Sequence, residues 1–344
     1  MKKRVYTLAA SILLPFLLLT GCASNGAAPA DKQTERTPAA SGQQAGQASD
    51  VLSLKMGLQP WLGNGPWWIA EKKGMFEKHG LKVELVSFVQ DADMNAAFLS
   101  DNVQAANLAT HTTIRMVAKN NLDVKGIIYM DESQDADAIL ASKDIAGVEQ
   151  LKGKKVAFEE GTTSDLLLQQ ALKEKGMKKQ DVETVFMPAA NAGLSLIPGQ
   201  VDAAVTYAPF IHEVLDKGKD KGLHVVYSGK NAPGLISDIV VLKSEYLSQH
   251  PDAKEKLRQV WDEALEYWKA NEQEGNEIVA AGSGSKPEEL PPILEGLKFY
   301  STKETADLAA SGKLAETVKN IHSLMVESEG LKADIDLDHM LDMQ

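Results

Sequence analysis

Beyond residue 50 the chain alternates short apolar runs with stretches of helical periodicity. Ten runs read as strands: Leu52–Leu58, Val83–Phe88, Ala105–Ala109, Val124–Tyr129, Ala138–Ala141, Lys155–Phe158, Val182–Met187, Ala203–Thr206, His224–Tyr227 and Ile239–Leu242. Between them lie the helix candidates Trp67–Lys73, Met94–Leu99, Thr113–Asn120, Asp165–Glu174 and Pro209–Asp216. Such alternation predicts an α/β fold, with parallel sheets covered by helices on both faces. After Lys243 the pattern turns purely helical. Pro251 suits the first turn of a long amphipathic helix reaching about Ala270, with shorter helices to about Glu329.

The segment from Asp93 to Asn107 lines up with the segment from Asn191 to Val205, an offset of 98 residues. Each reads as a short helix, a polar turn and an Ala-rich strand. Two ordinary αβ units could converge on this pattern. The alternative is two similarly built lobes that close over one cleft, with ligand beyond the carboxyl ends of the strands.

The N-terminal end changes the picture. Lys2, Lys3 and Arg4 precede an apolar run from Leu8 to Leu19, too short to span a membrane comfortably and typical of a secretion signal. It ends in Leu19-Thr20-Gly21-Cys22, which resembles the lipobox of bacterial lipoproteins, where the cysteine receives a diacylglycerol. Cys22 is the single cysteine of 344 residues, so no internal disulfide forms. Residues 22–50 carry Ala, Gly, Ser, Gln, Thr and Pro without apolar periodicity and read as a flexible tether. The expectation is a lipid-anchored protein on the extracytoplasmic face of the membrane.

The whole chain holds 36 basic and 48 acidic residues, net −12. Without Lys2, Lys3 and Arg4 of the leader (residues 1–21), 33 basic residues face 48 acidic ones, a net of −15. That balance argues against nucleic acid as a partner.

Several motifs together resemble the solute-binding proteins of ABC importers, in the nitrate/sulfonate/taurine (thiamine-precursor-like) group. They are Gly57-Leu-Gln-Pro-Trp61, Gly65-Pro-Trp-Trp-Ile-Ala70, Lys73-Gly-Met-Phe-Glu77, Gly80-Leu-Lys-Val-Glu-Leu85, the segment from Leu151 to Asp165, and Gly199-Gln-Val-Asp-Ala-Ala-Val-Thr-Tyr-Ala-Pro-Phe210. The resemblance covers about residues 52–270. It implies a two-lobe, type II periplasmic-binding fold, each lobe a mostly parallel sheet with helices on both faces and extra C-terminal helices. Lobe one would be 52–138 plus 240–344 and lobe two 139–239, with crossings near Asp137–Ile139 and Ser237–Val240. It also implies a monomer that passes a small molecule to ABC permease transmembrane subunits driven by a cytoplasmic ATPase, with no cofactor.

Candidate ligand-binding residues follow from where the turns fall. Gln59 and Trp61 follow the first strand at its carboxyl end. Trp67 and Trp68 are adjacent, so they point about 100° apart on a helix. One is expected in the core, and the other would join Trp61 in an aromatic wall. Asp93 opens the next helix. In Asn107-Leu-Ala-Thr-His-Thr-Thr113, Thr110 or Thr112 could cap a helix or donate to a ligand, and His111 could titrate. In the turn from Glu159 and Glu160 to Asp165, Thr163 or Ser164 is expected to cap a helix starting at Asp165. The free amides near Thr162 would meet ligand. Asn191 and Tyr207 match polar and aromatic positions of the family, and Asp238 lies at the second crossing.

An anionic ligand wants lysine or arginine. None occurs in 57–71, 91–114, 126–142, 156–172 or 182–216, whereas Asp91, Asp93, Asp131, Glu132, Asp135, Asp137, Glu159, Glu160 and Asp165 do occur there. Carboxylates with tryptophan faces suit a cation. The expected ligand is a guanidine- or urea-like nitrogen compound, with an aliphatic sulfonate, taurine or a thiamine-precursor pyrimidine as the alternative. An enzyme is not expected. The seven histidines show no metal-ligand spacing, and neither a nucleophile elbow nor a phosphate loop occurs. A fungal pyrimidine-precursor synthase of this general fold uses a cysteine-rich iron site, but the only cysteine here sits in the lipobox. A ligand-sensing adaptor is a third reading.

Overall fold

The computed structural model describes residues 51–344; the leader, Cys22 and the tether lie outside the described residues. Eleven strands form: β1 (Leu52–Leu58), β2 (Leu81–Ser87), β3 (Ala105–Ala109), β4 (Val124–Ser133), β5 (Asp137–Ala141), β6 (Lys155–Phe158), β7 (Glu183–Phe186), β8 (Ala203–Tyr207), β9 (His224–Ser228), β10 (Ser237–Lys243) and β11 (Leu297–Phe299). They make two sheets, ordered β11-β4-β10-β3-β1-β2 and β7-β6-β8-β5-β9. In the first, β10 and β11 run against the other four strands; in the second, only β5 is reversed. Each sheet is therefore mostly parallel, with one reversed strand inside it.

The internal echo appears as topology. Helix Asp91–Leu99 leads into β3, and helix Ala189–Leu196 leads into β8, again 98 residues later. The orders β4-β10-β3-β1-β2 and β9-β5-β8-β6-β7 match strand for strand in space, with the reversed strand last along the chain in the first and first in the second. Both sheets bury apolar side chains on two faces, as strands sandwiched between helices must.

Three expectations need correction. The C-terminal part is not purely helical: β11 adds to β4, with Phe299 opposite Asp131. β4 runs on through Asp131, Glu132 and Ser133, past the apolar run, and β10 starts two residues early at Ser237. Their ladder continues through polar residues because backbone pairing ignores side-chain polarity. The long helix spans Ala253–Ala270 and follows a separate short helix, Ser244–Gln249, so Pro251 lies between the two.

Trp67 and Trp68 both pack into the core. Helix Gly65–Lys73 lies against Ala253–Ala270 and against Glu272–Ser283, so two of its faces are covered. Trp67 is fully buried, stacked on Phe76 at 6.1 Å and tilted against Trp261 at 5.1 Å. Trp68 lies under Gly282, where a Cβ would come within 2.2 Å of the indole. Neither joins the aromatic wall expected for one of them.

Truncating a fully buried tryptophan costs transfer energy and leaves a cavity. Trp67→Ala should therefore lower unfolding free energy by about 3–5 kcal/mol in denaturant titration. Trp67→Phe should cost less, because Trp67 Nε1 is buried without a hydrogen-bond partner. Equal losses for the two would show that ring volume does not set the cost.

Candidate functional site

The carboxyl ends of the parallel strands, and the amino ends of the reversed β5 and β10, carry the polar groups. In the first sheet these are Gln59 after β1, Thr110 after β3, Asp131–Ser133 closing β4, and Ser237–Asp238 opening β10. In the second they are Glu159 after β6, Tyr207 closing β8 and Asp137 opening β5. The two edges share one electrostatic environment. The Asp137 charge acts on Asp238, and the Asp91 charge acts on both Asp238 and Tyr207.

The turn bearing Trp61 is held by buried amides. Asn107 Nδ2 donates to Asn64 Oδ1 at 2.8 Å, and Asn64 Nδ2 donates to the Gln59 carbonyl at 2.9 Å. The Gln59 side chain donates to Asp91 at the start of helix Asp91–Leu99. Gly63 then passes so close to β4 that a Cβ there would sit 2.2 Å from Asp131 Oδ2 and 2.7 Å from Trp61 Nε1. No side chain fits between this turn and the strand. Both of those atoms are shielded from solvent and lack a hydrogen bond of ordinary geometry.

Asp131 and Asp238 are direct cross-strand partners in the β4–β10 ladder, beside a register irregularity between Asp238 and Ile239. Opposed residues share a face, with Cβ atoms about 5 Å apart, and like charges there repel. Their carboxyls lie within hydrogen-bonding reach of one another. Burial first, then the Asp238 charge, holds the Asp131 carboxyl well above the usual carboxylate range. Burial first, then Asp137 and Asp91, pushes Asp238 up to about 7. Burial raises Asp137 to about 6, against the Ser133 hydroxyl, which favours its charged form. Tyr207 pairs across the ladder with Asp137, and burial followed by the Glu159, Asp137 and Asp91 charges raises its phenol.

The remaining expected residues divide. Thr110 Oγ1 shares a hydrogen bond with Ser237 Oγ at 2.8 Å and caps nothing: helix Thr110–Asn120 begins at Thr110, and its N-cap, Ala109, makes no side-chain cap. Thr112 likewise does not cap it. His111 is buried and driven down to about 3 by burial and then by Arg115, so it is neutral and does not titrate near physiological pH. The helix expected from Asp165 spans Thr163–Glu174, with Thr162 as N-cap in place of Thr163 or Ser164. Thr162 accepts from Ser164 N and donates to the Glu159 carbonyl at 3.0 Å. Ser164 Oγ accepts from Glu159 N and donates to the Val205 carbonyl, tying this turn to β8. Glu159 itself accepts from Ala189 N–H at 2.9 Å, at the start of helix Ala189–Leu196. Glu160, Asp93 and Asn191 are exposed, and Thr163 is partly so.

Gln59, Trp61, Glu159, Tyr207 and Asp238 thus lie at the two facing edges, together with Asp91, Asp131 and Asp137, which the sequence marked only as acids of base-free stretches and not as ligand contacts. The available signal was position: Asp131 and Asp137 sit where apolar strands end on either side of a crossing. Among the described residues, no group of three His, Cys, Asp or Glu side chains is arranged to hold a metal ion. No described helix is long and apolar enough to cross a membrane.

Two twinned α/β sheets with polar groups at facing carboxyl edges define the periplasmic-binding-protein fold. The periplasmic aliphatic sulphonate binding protein SsuA of Escherichia coli superposes with a TM-score of 0.69 at 20% identity, covering 84% of this chain and 97% of that one. The NMT1/THI5-like family model matches residues 64–275, and the chain belongs to that family. A binding protein of Brucella abortus (strain 2308) is 22% identical over 84% of this chain and 89% of its own length. The taurine-binding periplasmic protein of Escherichia coli (strain K12) is 24% identical over 71% of this chain and 78% of its own.

A carboxyl raised by the fold contributes stability below its unfolded value, near 3.8, and loses it as pH climbs through the folded value, about 7 for Asp238. Asp238→Asn removes that loss. The variant should melt with wild type near pH 4 and several degrees above it at pH 8. A variant less stable than wild type at pH 8 would contradict the burial of these charges.

Proposed function

We propose that this protein is the extracytoplasmic solute-binding component of an ABC importer, anchored through lipidated Cys22 and acting as a monomer. It binds a small planar nitrogen cation of the guanidinium type between lobes 52–138 plus 240–344 and 139–239. Family membership and the binding names of its relatives support the class, and support a binder over an enzyme.

One observation carries the ligand assignment: Asp91, Asp131, Asp137, Asp238 and Glu159 gather around Trp61 and Tyr207 without a lysine or arginine among them. A guanidinium ion offers N–H donors to carboxylate oxygens in its plane, while its faces suit indole and phenol rings. A sulfonate would add negative charge to this cluster.

A second reading rests on the relatives, two of which carry sulfonate or taurine in their names. Taurine brings an ammonium group that a carboxylate could hold, but its sulfonate would have to sit beyond the acids.

A thermal-shift panel separates the two. Binding to the native state raises the melting temperature by mass action, by about 2.7 kcal/mol of stabilisation at a hundredfold excess over Kd. Guanidinium and methylguanidinium at millimolar concentration should raise it, and taurine, alkanesulfonates and thiamine-precursor pyrimidines should not. Stabilisation by taurine alone would reject the cationic assignment and leave the importer reading standing.

A further inference from the structure

The Asp131–Asp238 contact is not explained by the fold. Two acids opposed across a buried ladder can approach to hydrogen-bonding reach only if something positive lies between them. Around them the polar groups are incompletely used. Asp131 Oδ2, on a residue 1% exposed, and Trp61 Nε1 make no bond of ordinary geometry, although the indole N–H lies near both acids and favours their charged forms. Ser133 Oγ, on a residue 3% exposed, faces Asp137 and also lacks a bond of ordinary geometry.

The charged groups on surrounding elements do not supply the missing positive charge. Asp91 comes from the helix after β2, and Asp137 comes from β5. On β4, Glu132 lies opposite Ser237 of β10 and Lys298 of β11. Tyr129 and Tyr300 border Glu132 as neutral phenols raised by burial. His111, in the first turn of helix Thr110–Asn120, is neutral. Every nearby base is engaged. Arg115 binds Glu329 at 2.7 and 2.9 Å, and Lys230 binds Asp135. Arg258 donates to the Ile127 and Thr302 carbonyls, and Lys298 lies over the Tyr300 ring at 4.3 Å.

We propose that Asp131 and Asp238 hold one proton between them in the unliganded protein, and that the cationic group of the ligand takes its place. Each cation captured then sends one proton to solvent, and the pair becomes the element that selects a charged ligand over a neutral one of the same shape. The inference rests on the cationic reading above and adds Asp131 as a specificity-determining residue. The elevated titration of Asp238, to about 7, agrees with a proton held there at mildly acidic pH. A neutral isostere such as urea cannot replace the proton's charge and releases none. Because the proton competes with the cation, affinity rises with pH: about tenfold per pH unit while the pair is protonated, levelling above neutrality.

The test is titration calorimetry of the full mature chain with guanidinium chloride, in two buffers of different ionisation enthalpy, from pH 5.5 to 8. About one proton should be released per cation at pH 5.5 and few at pH 8, with the dissociation constant falling across that range. Asp131→Asn should bind guanidinium with release near zero and a flattened pH profile. The wild-type measurement stands alone if that variant fails to fold. Guanidinium binding without proton release, at an affinity constant from pH 5.5 to 8, would overturn the exchange and leave the cationic reading intact. Failure of guanidinium to bind at any pH would remove the cationic reading, and the exchange with it.

Discussion

Asp131 and Asp238 are fixed opposite each other by the register of β4 and β10, at the centre of the larger sheet. They cannot move apart without breaking the ladder that joins β4 and β11 to the rest. Burial opposes the ionisation of both, the Asp238 charge opposes that of Asp131, and the Asp137 and Asp91 charges oppose that of Asp238, which is the tension the proposed exchange of proton for cation would relieve. Replacing opposed buried acids with apolar residues is commonly neutral or stabilising. An arrangement that costs stability at the edge where ligands sit in open α/β sheets is better explained by binding than by folding. The surrounding structure offsets that cost elsewhere, most visibly where Trp67, Phe76 and Trp261 stack behind the first sheet.

The strands were legible because their apolar runs are short and bounded: β1, β3 and β6 occupy the expected residues. β2 and β7 shift by one or two residues at their ends, and the differences that matter fall in one place. β4 and β10 extend further than expected through Asp131–Ser133 and Ser237–Asp238, and β5 and β8 through Asp137 and Tyr207. At each of these positions a polar side chain ended the apolar run while the backbone ladder continued. The residues that hid the strand ends are the candidate site residues, since a site requires polar groups in a buried ladder. Trp67 and Trp68 misled for another reason. Adjacent positions diverge on a helix, but helix Gly65–Lys73 is covered by two other helices, so both directions lead inward. Asp131 was visible as an acid in a base-free stretch; its opposition to Asp238 depends on register, which a single sequence does not encode locally.

The segments joining the sheets are themselves tied together. Ser133 N donates to the Ile236 carbonyl at 2.9 Å, Lys230 N to the Gln134 carbonyl at 2.6 Å, and Ser228 Oγ to Asp135 Oδ1 at 2.8 Å. The Gly296 carbonyl, just before β11, accepts from three successive amides, Gln134 to Ala136. Both crossings thus form one hydrogen-bonded strap with little slack. Any relative movement of the sheets would turn about this strap, and Asp137 and Asp238 flank it on opposite sides.

Those outer walls carry charge of the same sign. Asp91 and the Asp131–Asp238 pair belong to the side built on the first sheet, and Asp137 and Glu159 to the side built on the second. Bringing the carboxyl edges together raises the local negative potential, and expelling water strengthens every pairwise term. Closure is therefore opposed in the free protein and opposed further by an anion. A ligand shifts such an equilibrium only through a difference in its affinity for the two arrangements. A cation between the edges supplies that difference directly, because it attracts carboxylates from both sides at once. In the proposed exchange, a proton shared by Asp131 and Asp238 would satisfy the first sheet alone, and a larger, multi-donor cation in its place would extend the same neutralisation to Asp137 and Glu159, so that capture and closure would draw on one electrostatic source.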